Sequence, residues 1–215
     1  MTRVKICCIA DEVEAELALA HGADAIGLVT KMPSGPGVIT DHEMRRIARW
    51  AFGKAWIFVL TSQRSPLRIC EQARGIDGVR LQLVDKVPHS MYAAIRSGAP
   101  HAKIVQVIHV RGREDVAEAV AVAPLVDEIL LDSGNPDAAV KELGGTGRTH
   151  DWTLSRAIVE SVDVPVWLAG GLHAENVAEA ITKVRPFGVD ICSGVRELGA
   201  LSPRRLQAFF AAVRV

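Results

Sequence analysis

Two textures alternate along this chain. Short apolar runs rich in β-branched residues, such as Ile57-Phe58-Val59-Leu60 and Val164-Pro165-Val166-Trp167-Leu168, are separated by amphipathic stretches rich in Ala and Glu. Near-continuous apolar runs fit strands of a parallel sheet covered on both faces, and the stretches between them fit helices. The pattern predicts strands at Val4–Ile9, Ala25–Val29, Ala55–Leu60, Gly78–Leu83, Ile104–Val110, Glu128–Asp132, Val164–Ala169 and Val189–Cys192. Helices are predicted at Glu12–His21, Asp41–Ala51, Pro66–Arg74, Val87–Ser97, Arg113–Ala123, Thr153–Glu160, Ala174–Val184 and Pro203–Val213. Eight such units in 215 residues leave about 27 residues each, which is a lean α/β fold of the (β/α)8 TIM-barrel kind, with residues 1–215 as one domain. An open doubly wound sheet is the alternative, but it needs fewer units and its nucleotide fingerprint is missing. Gly145-Thr146-Gly147-Arg148-Thr149-His150 has the first two glycines of GxGxxG, yet it ends in His and does not directly follow a strand.

Composition narrows the partners. Lys and Arg number 25 against 25 Asp and Glu, so no nucleic acid is expected, because phosphate-backbone binding relies on a cationic surplus. Apolar stretches such as Ala117–Val126 are broken well before the roughly 20 residues of a membrane span. Charged residues at Arg3, Lys5, Asp11, Glu12 and Glu14 leave no signal-peptide core, which points to the cytoplasm and to no membrane partner. Cys7, Cys8, Cys70 and Cys192 are too few for a disulfide framework and read as free thiols. The histidines show no HExxH spacing and no CxxC occurs, so no metal is expected. No GxSxG and no Walker loop occur either, which disfavours a serine hydrolase or an NTPase.

In such a barrel the chemistry sits at the C-terminal strand ends. Strand one closes with Lys5-Ile6-Cys7-Cys8-Ile9, and strict alternation puts Lys5, Cys7 and Ile9 on one face, so that only one of the two thiols looks into the barrel. A thiolate beside Lys5 would be favoured electrostatically, although a free Cys is more often inert. Strand six closes on Asp132, which is either a loop anchor or an acid; the long loop Ser133–His150 that follows, with Gly144-Gly145-Thr146-Gly147, favours a functional reading. A thiol and a carboxyl facing each other across a barrel mouth make a base and an acid. After strands seven and eight, Gly170-Gly171 and Ser193-Gly194 offer backbone amides to a phosphate, and the alternative is that these glycines only turn the chain.

Taken in order, these pieces resemble the phosphoribosylanthranilate isomerase family. The resemblance runs essentially end to end. It rests on Lys5-Ile6-Cys7 (family KICGIT, here KICCIA), Gly22-Ala23-Asp24-Ala25-Ile26-Gly27, Leu130-Leu131-Asp132, Gly144 to Trp152, Ala169-Gly170-Gly171-Leu172 with Glu175-Asn176-Val177, and Arg185-Pro186-Phe187-Gly188-Val189-Asp190 into Ser193-Gly194-Val195. It implies a cofactor-free Amadori rearrangement of a small phosphorylated sugar amine, with Cys7 as base and Asp132 as acid. It also implies phosphate contacts at Gly170, Gly171, Ser193 and Gly194, with Gly145 and Thr146 closing over the ligand. Such barrels occur as monomers or homodimers.

The departures from the family pattern cluster on the other side of the mouth. The Arg that holds the anthranilate carboxylate after strand two falls at Gly37, in Ser34-Gly35-Pro36-Gly37-Val38-Ile39. The family's VQLHG after strand four is set against Val79-Arg80-Leu81-Gln82-Leu83, the glycine after the catalytic Cys is Cys8, and the usual Asn after strand three is replaced around Leu60-Thr61-Ser62. Lys31 or Arg80 could take over the carboxylate, and Lys5 and Gln82 join them as possible substrate contacts. Cys8, Cys70 and Cys192 are expected to be structural. Three functions follow: the family isomerase itself, a relative acting on another phosphoribosylamine or sugar phosphate, and a silent barrel that binds a phosphorylated metabolite.

Overall fold

The computed structural model describes residues 1–32, 37–134 and 149–214. Eight parallel strands close a barrel in sequence order: β1 (Arg3–Ile6), β2 (Ala25–Val29), β3 (Trp56–Thr61), β4 (Arg80–Leu83), β5 (Lys103–His109), β6 (Glu128–Asp132), β7 (Val166–Leu168) and β8 (Gly188–Ile191), with β8 pairing back onto β1. The helices are α1 (Glu12–Ala20), α2 (Asp41–Ala51), α3 (Pro66–Ala73), α4 (Ser90–Gly98), α5 (Arg113–Val122), α6 (Trp152–Ser161), α7 (Val177–Val184) and α8 (Pro203–Val213). Both sets match the periodicity. Their starts follow local chemistry: Asp11 caps α1 by accepting from the amide of Glu14, and Thr40 and Glu43 cap α2 reciprocally.

Alternation along the strands sorts the core into two layers. Ile6, Ile26, Leu28, Ile57, Val59, Leu81 and Ile104 face outward and pack under the helices. Ala25, Phe58, Leu60, Val105, Val107, Leu130 and Trp167 fill the interior. The interior also holds charge. At the floor, Arg80 is the first residue of β4; its Nε donates to Glu128 Oε1 at 2.9 Å, and its guanidinium lies 4.3 Å from the Trp56 ring. Trp167 Nε1 donates to the other oxygen of Glu128 at 2.7 Å. Arg80 does face inward, as the sequence suggested, but at the end opposite the mouth, so it is not available to a substrate there.

Two further expectations change. β1 ends at Ile6, and Cys8 takes a left-handed conformation (φ 65°), which breaks the alternation. Cys7 and Cys8 therefore both belong to the interior cluster, while Ile9 turns out into the helix-facing core. A short antiparallel pair, Arg196–Glu197 with Ala200–Leu201, follows the 3-10 turn Ser193–Val195. No helix among the described residues is long and apolar enough to cross a membrane.

Candidate active site

The mouth is organised around one buried ammonium. Lys5 is fully buried, and its Nζ donates to Asp190 Oδ2 at 2.8 Å, to Gln82 Oε1 at 3.0 Å and toward Cys7 Sγ at 3.7 Å. Burial works against its charge, but Asp190 and Cys7 outweigh this and hold Lys5 above its ordinary value, so it stays an ammonium. Lys5 and Gln82 thus form a buried support beneath Cys7. Because β4 starts at the floor with Arg80, Leu81-Gln82-Leu83 fits the VQL of the family's VQLHG, and Val84 stands at its His.

Cys7 is held by its amide, which donates to Ile191 O of β8 at 2.8 Å, and its thiol lies over Gly27. A β-carbon at Gly27 would come within 2.8 Å of Cys7 Sγ and 3.1 Å of Lys5 Cε. This close approach is why the second strand carries a glycine in mid-run.

Asp132, at the end of β6, is pushed above the ordinary carboxylate value, chiefly by burial and also by Asp190; His109, the amide of Ser133 and Lys5 pull the other way. Its Oδ1 accepts from the Ser133 amide at 2.7 Å. A carboxyl that keeps its proton at higher pH than usual suits an acid. Lys5 lies against Cys7, and its charge also reaches Asp132, where it opposes the effect of burial.

On the β7–β8 side, Gly170 (φ 87°) and Gly171 (φ 61°) use backbone that other residues rarely adopt. A β-carbon at Gly170 would meet Ser133 Oγ at 2.8 Å, and one at Gly194 would run into the carbonyl oxygen of Leu172. The glycines therefore let three loops close on one another beside Asp132. Asn176 braces the first of them, donating to Gly171 O at 3.0 Å and accepting from the His173 amide at 2.8 Å. A cavity of about 490 Å³ is lined here by Gly171, His173, Ser193, Gly194, Arg204 and Arg205. Gly145 and Thr146 lie outside the described residues, as do Ser34, Gly35 and Pro36.

On the opposite side, a cavity of about 560 Å³ lies between the ends of β3, β4 and β5, lined among others by Arg64, Asp85, Lys86, His89, His109 and Arg111. His109 pairs in register with Asp132, and its Nε2 contacts Val84 O at 3.0 Å. Lys31 is exposed at the end of β2. Gly37 (φ 72°) sits against Cys8: a β-carbon there would lie 2.6 Å from Cys8 Cβ, so a side chain at one position excludes one at the other. Among the described residues no group of three His, Cys, Asp or Glu could hold a metal.

The sequence placed Cys7, Asp132 and the two glycine pairs at strand ends, and the structure has them there. It did not show that Asp190 pairs with Lys5, although a carboxylate inside the apolar run Gly188-Val189-Asp190-Ile191 was a visible signal, nor that Arg64 and His109 line one cavity.

Breaking the support has a defined cost. Lys5→Met leaves the Asp190 carboxylate buried without its countercharge, with Oδ1 already lacking a hydrogen-bond partner. The loss should be about 3–5 kcal/mol, read from urea unfolding, and Lys5→Met with Asp190→Leu should recover most of it.

A thiol beside a buried ammonium and a carboxyl raised by burial, at the mouth of a (β/α)8 barrel next to glycine-rich loops, fit the class of barrel isomerases that move protons on a phosphorylated ligand. Known proteins narrow this to one family. The model of PRAI, N-(5'-phosphoribosyl)anthranilate (PRA) isomerase, matches residues 5–212, and the chain belongs to that family. The N-(5'-phosphoribosyl)anthranilate isomerase of Haloferax volcanii is 39% identical, covering 100% of this chain and 94% of that protein. The crystal structure of phosphoribosyl anthranilate isomerase from Thermotoga maritima superposes with a TM-score of 0.83 at 28% identity, covering 100% of this chain and 99% of that one. Another phosphoribosyl anthranilate isomerase structure, in complex with reduced 1-(o-carboxyphenylamino)-1-deoxyribulose 5-phosphate, gives 0.80 at 26%, again over 100% and 99%. The activity that goes with membership is the isomerisation of N-(5'-phosphoribosyl)anthranilate in tryptophan biosynthesis.

Proposed function

We propose that Asp132 is the acid and Cys7 the base of this Amadori rearrangement. The observation that supports the reading is that Cys7 stands beside the Lys5 ammonium at the mouth, while burial holds the Asp132 carboxyl above its ordinary value. Asp132 gives its proton to the furanose ring oxygen, and the C1–O bond breaks as the nitrogen lone pair forms an iminium. The iminium acidifies the C2–H bond, and the Cys7 thiolate removes that proton to give an enolamine. Return of the proton from Cys7 to C1 and loss of the C2 hydroxyl proton, which restores Asp132, give the ketone, so the net change is one hydrogen moved from C2 to C1 and one from the C2 hydroxyl to the opened ring oxygen, with no cofactor. The phosphate lies against the amides of Gly170, Gly171, Ser193 and Gly194. The test is the fluorescence of freshly made phosphoribosylanthranilate, which decays on addition of the protein. Turnover that survives removal of either side chain overturns the pair.

The anthranilate carboxylate then points to the β3–β5 cavity. Arg80 is committed to Glu128 at the floor. In the cavity itself Lys86 pairs with Glu118 and Arg111 with Asp115, whereas Arg64 has no ion-pair partner among the described residues. Arg64 is therefore the carboxylate's cation, in place of the side chain that Gly37 lacks. Arg64→Ala should raise KM by about ten- to a hundredfold with a smaller change in kcat, as loss of a charge-assisted pair predicts. Lys31→Ala should change little, and the reverse pattern would move the contact to Lys31.

A further inference from the structure

We propose that Cys8 and Cys192 are a modification site, a dithiol at the barrel mouth that a peroxide closes to a disulfide, with loss of turnover. The two sulfurs lie 2.7 Å apart although the residues are 184 positions apart in sequence. A disulfide needs about 2.05 Å, so closing the bond asks for a shift of about 0.7 Å.

The approach is built into the backbone. Cys8 is held in the left-handed region, which a residue with a β-carbon rarely adopts, and this turn is what swings its side chain toward β8 instead of outward with Ile9. Two contacts hold the turn: Gly37, whose missing side chain makes room for Cys8 Cβ, and Arg196, whose Nη2 donates to Cys8 O at 2.6 Å. Arg196 is itself fixed by two bonds to Glu14, at 2.8 and 2.9 Å.

The pair is chemically asymmetric. Cys192 is half-buried and held below the ordinary thiol value, first by the hydrogen bond with Cys8 and then by the Arg196 charge, against burial. Cys8 is buried and held well above that value by hydrogen bonds with Cys192 and Cys7 and by burial. Cys192, the more exposed of the two, is accordingly the attacking thiolate and Cys8 the resolving thiol. The Cys192 thiolate attacks one peroxide oxygen, giving a sulfenic acid and hydroxide, which takes up a proton. Cys8 sulfur then displaces the sulfenic hydroxyl as water. In total two thiols and one hydrogen peroxide give one disulfide and two waters, the sulfurs losing two electrons and the peroxide gaining them.

The consequence for turnover rests on the functional reading above, because the bridge ties the neighbour of the base Cys7 to the neighbour of the phosphate contacts Ser193 and Gly194. Carried to the reacting groups, a displacement approaching about 1 Å lowers the rate by up to about a hundredfold.

The experiment treats the full chain with hydrogen peroxide, blocks remaining thiols with iodoacetamide, and maps the peptides by mass while activity is followed before and after dithiothreitol. The expected result is a Cys8–Cys192 crosslink and an activity loss that dithiothreitol reverses. Cys8→Gly, which places glycine in a conformation it favours, should keep basal activity and lose the reversible inhibition, and Cys192→Ser gives a second variant should one fail to fold. A crosslink through Cys7, no crosslink at all, a crosslink with full activity, or reversible inhibition that persists in Cys8→Gly would each overturn the proposal. The crosslink is read without turnover, so a mapped disulfide in a chain that does not isomerise the substrate overturns the functional reading instead.

Discussion

Asp132→Asn is expected to lower kcat by about 10²–10⁴ and at the same time to stabilise the fold. The first effect is loss of the proton that opens the ring, since an amide has the shape of the acid and nothing to donate. The second follows from linkage. Burial raises the Asp132 carboxyl above its ordinary value of 3.8, so in the window between 3.8 and the raised value the folded chain binds a proton that the unfolded chain has released. Stability contributed by this group is therefore present below that window and is lost as pH rises through it. Asn has no such penalty, so the variant should unfold at higher urea concentration than the parent near neutral pH, and the two midpoints should converge as the pH falls toward 3.8. The parent's rate should also fall on the alkaline side as Asp132 gives up its proton, and that limb should vanish in Asp132→Asn. A variant with a healthy kcat would sink the acid assignment.

Cys7→Ser is expected to cost a similar factor, about 10²–10⁴ in kcat, with the barrel intact. The side chain stays small and remains above Gly27 and Lys5, so packing is nearly unchanged. The hydroxyl, however, holds its proton far more tightly than a thiol and cannot serve as the base at C2. KM should move little, because the phosphate and carboxylate contacts lie on other loops. The two variants separate by stability: Asp132→Asn gains and Cys7→Ser stays level. A serine variant that turns over normally would remove the thiol from the mechanism.

The two losses should not add. If acid and base act on successive steps of one rearrangement, the double variant should lie close to the worse single variant, because either lesion alone stops the reaction.

How much of this was legible depends on what a linear pattern encodes. Period-2 runs name the face of a strand, so Lys5, Arg80, Gln82, Asp132 and Asp190 were readable as inward or outward residues. They do not name height. Height comes from the stagger of a closed barrel, in which Arg80 of β4 pairs with Phe58 and Lys103 and so falls beside Trp56 and Glu128 at the floor, while Gln82, two residues on, reaches Lys5. The same limit hid the cavity at Arg64, whose walls come from three separate strand ends.

By itself the sequence determined the eight βα units, the strand ends that carry Cys7 and Asp132, and the glycine pairs after β7 and β8, because these depend on local periodicity and on residues whose chemistry is nearly independent of context. Only the tertiary structure decided that the Lys5 ammonium is held by Asp190 and Gln82 beside Cys7, that Arg80 is a floor brace, and that Cys8 turns inward to meet Cys192. The physical reason is the same in each case: these are contacts between residues far apart in sequence, fixed by barrel closure and by one left-handed backbone turn, and neither leaves a mark in the order of hydrophobic and polar positions.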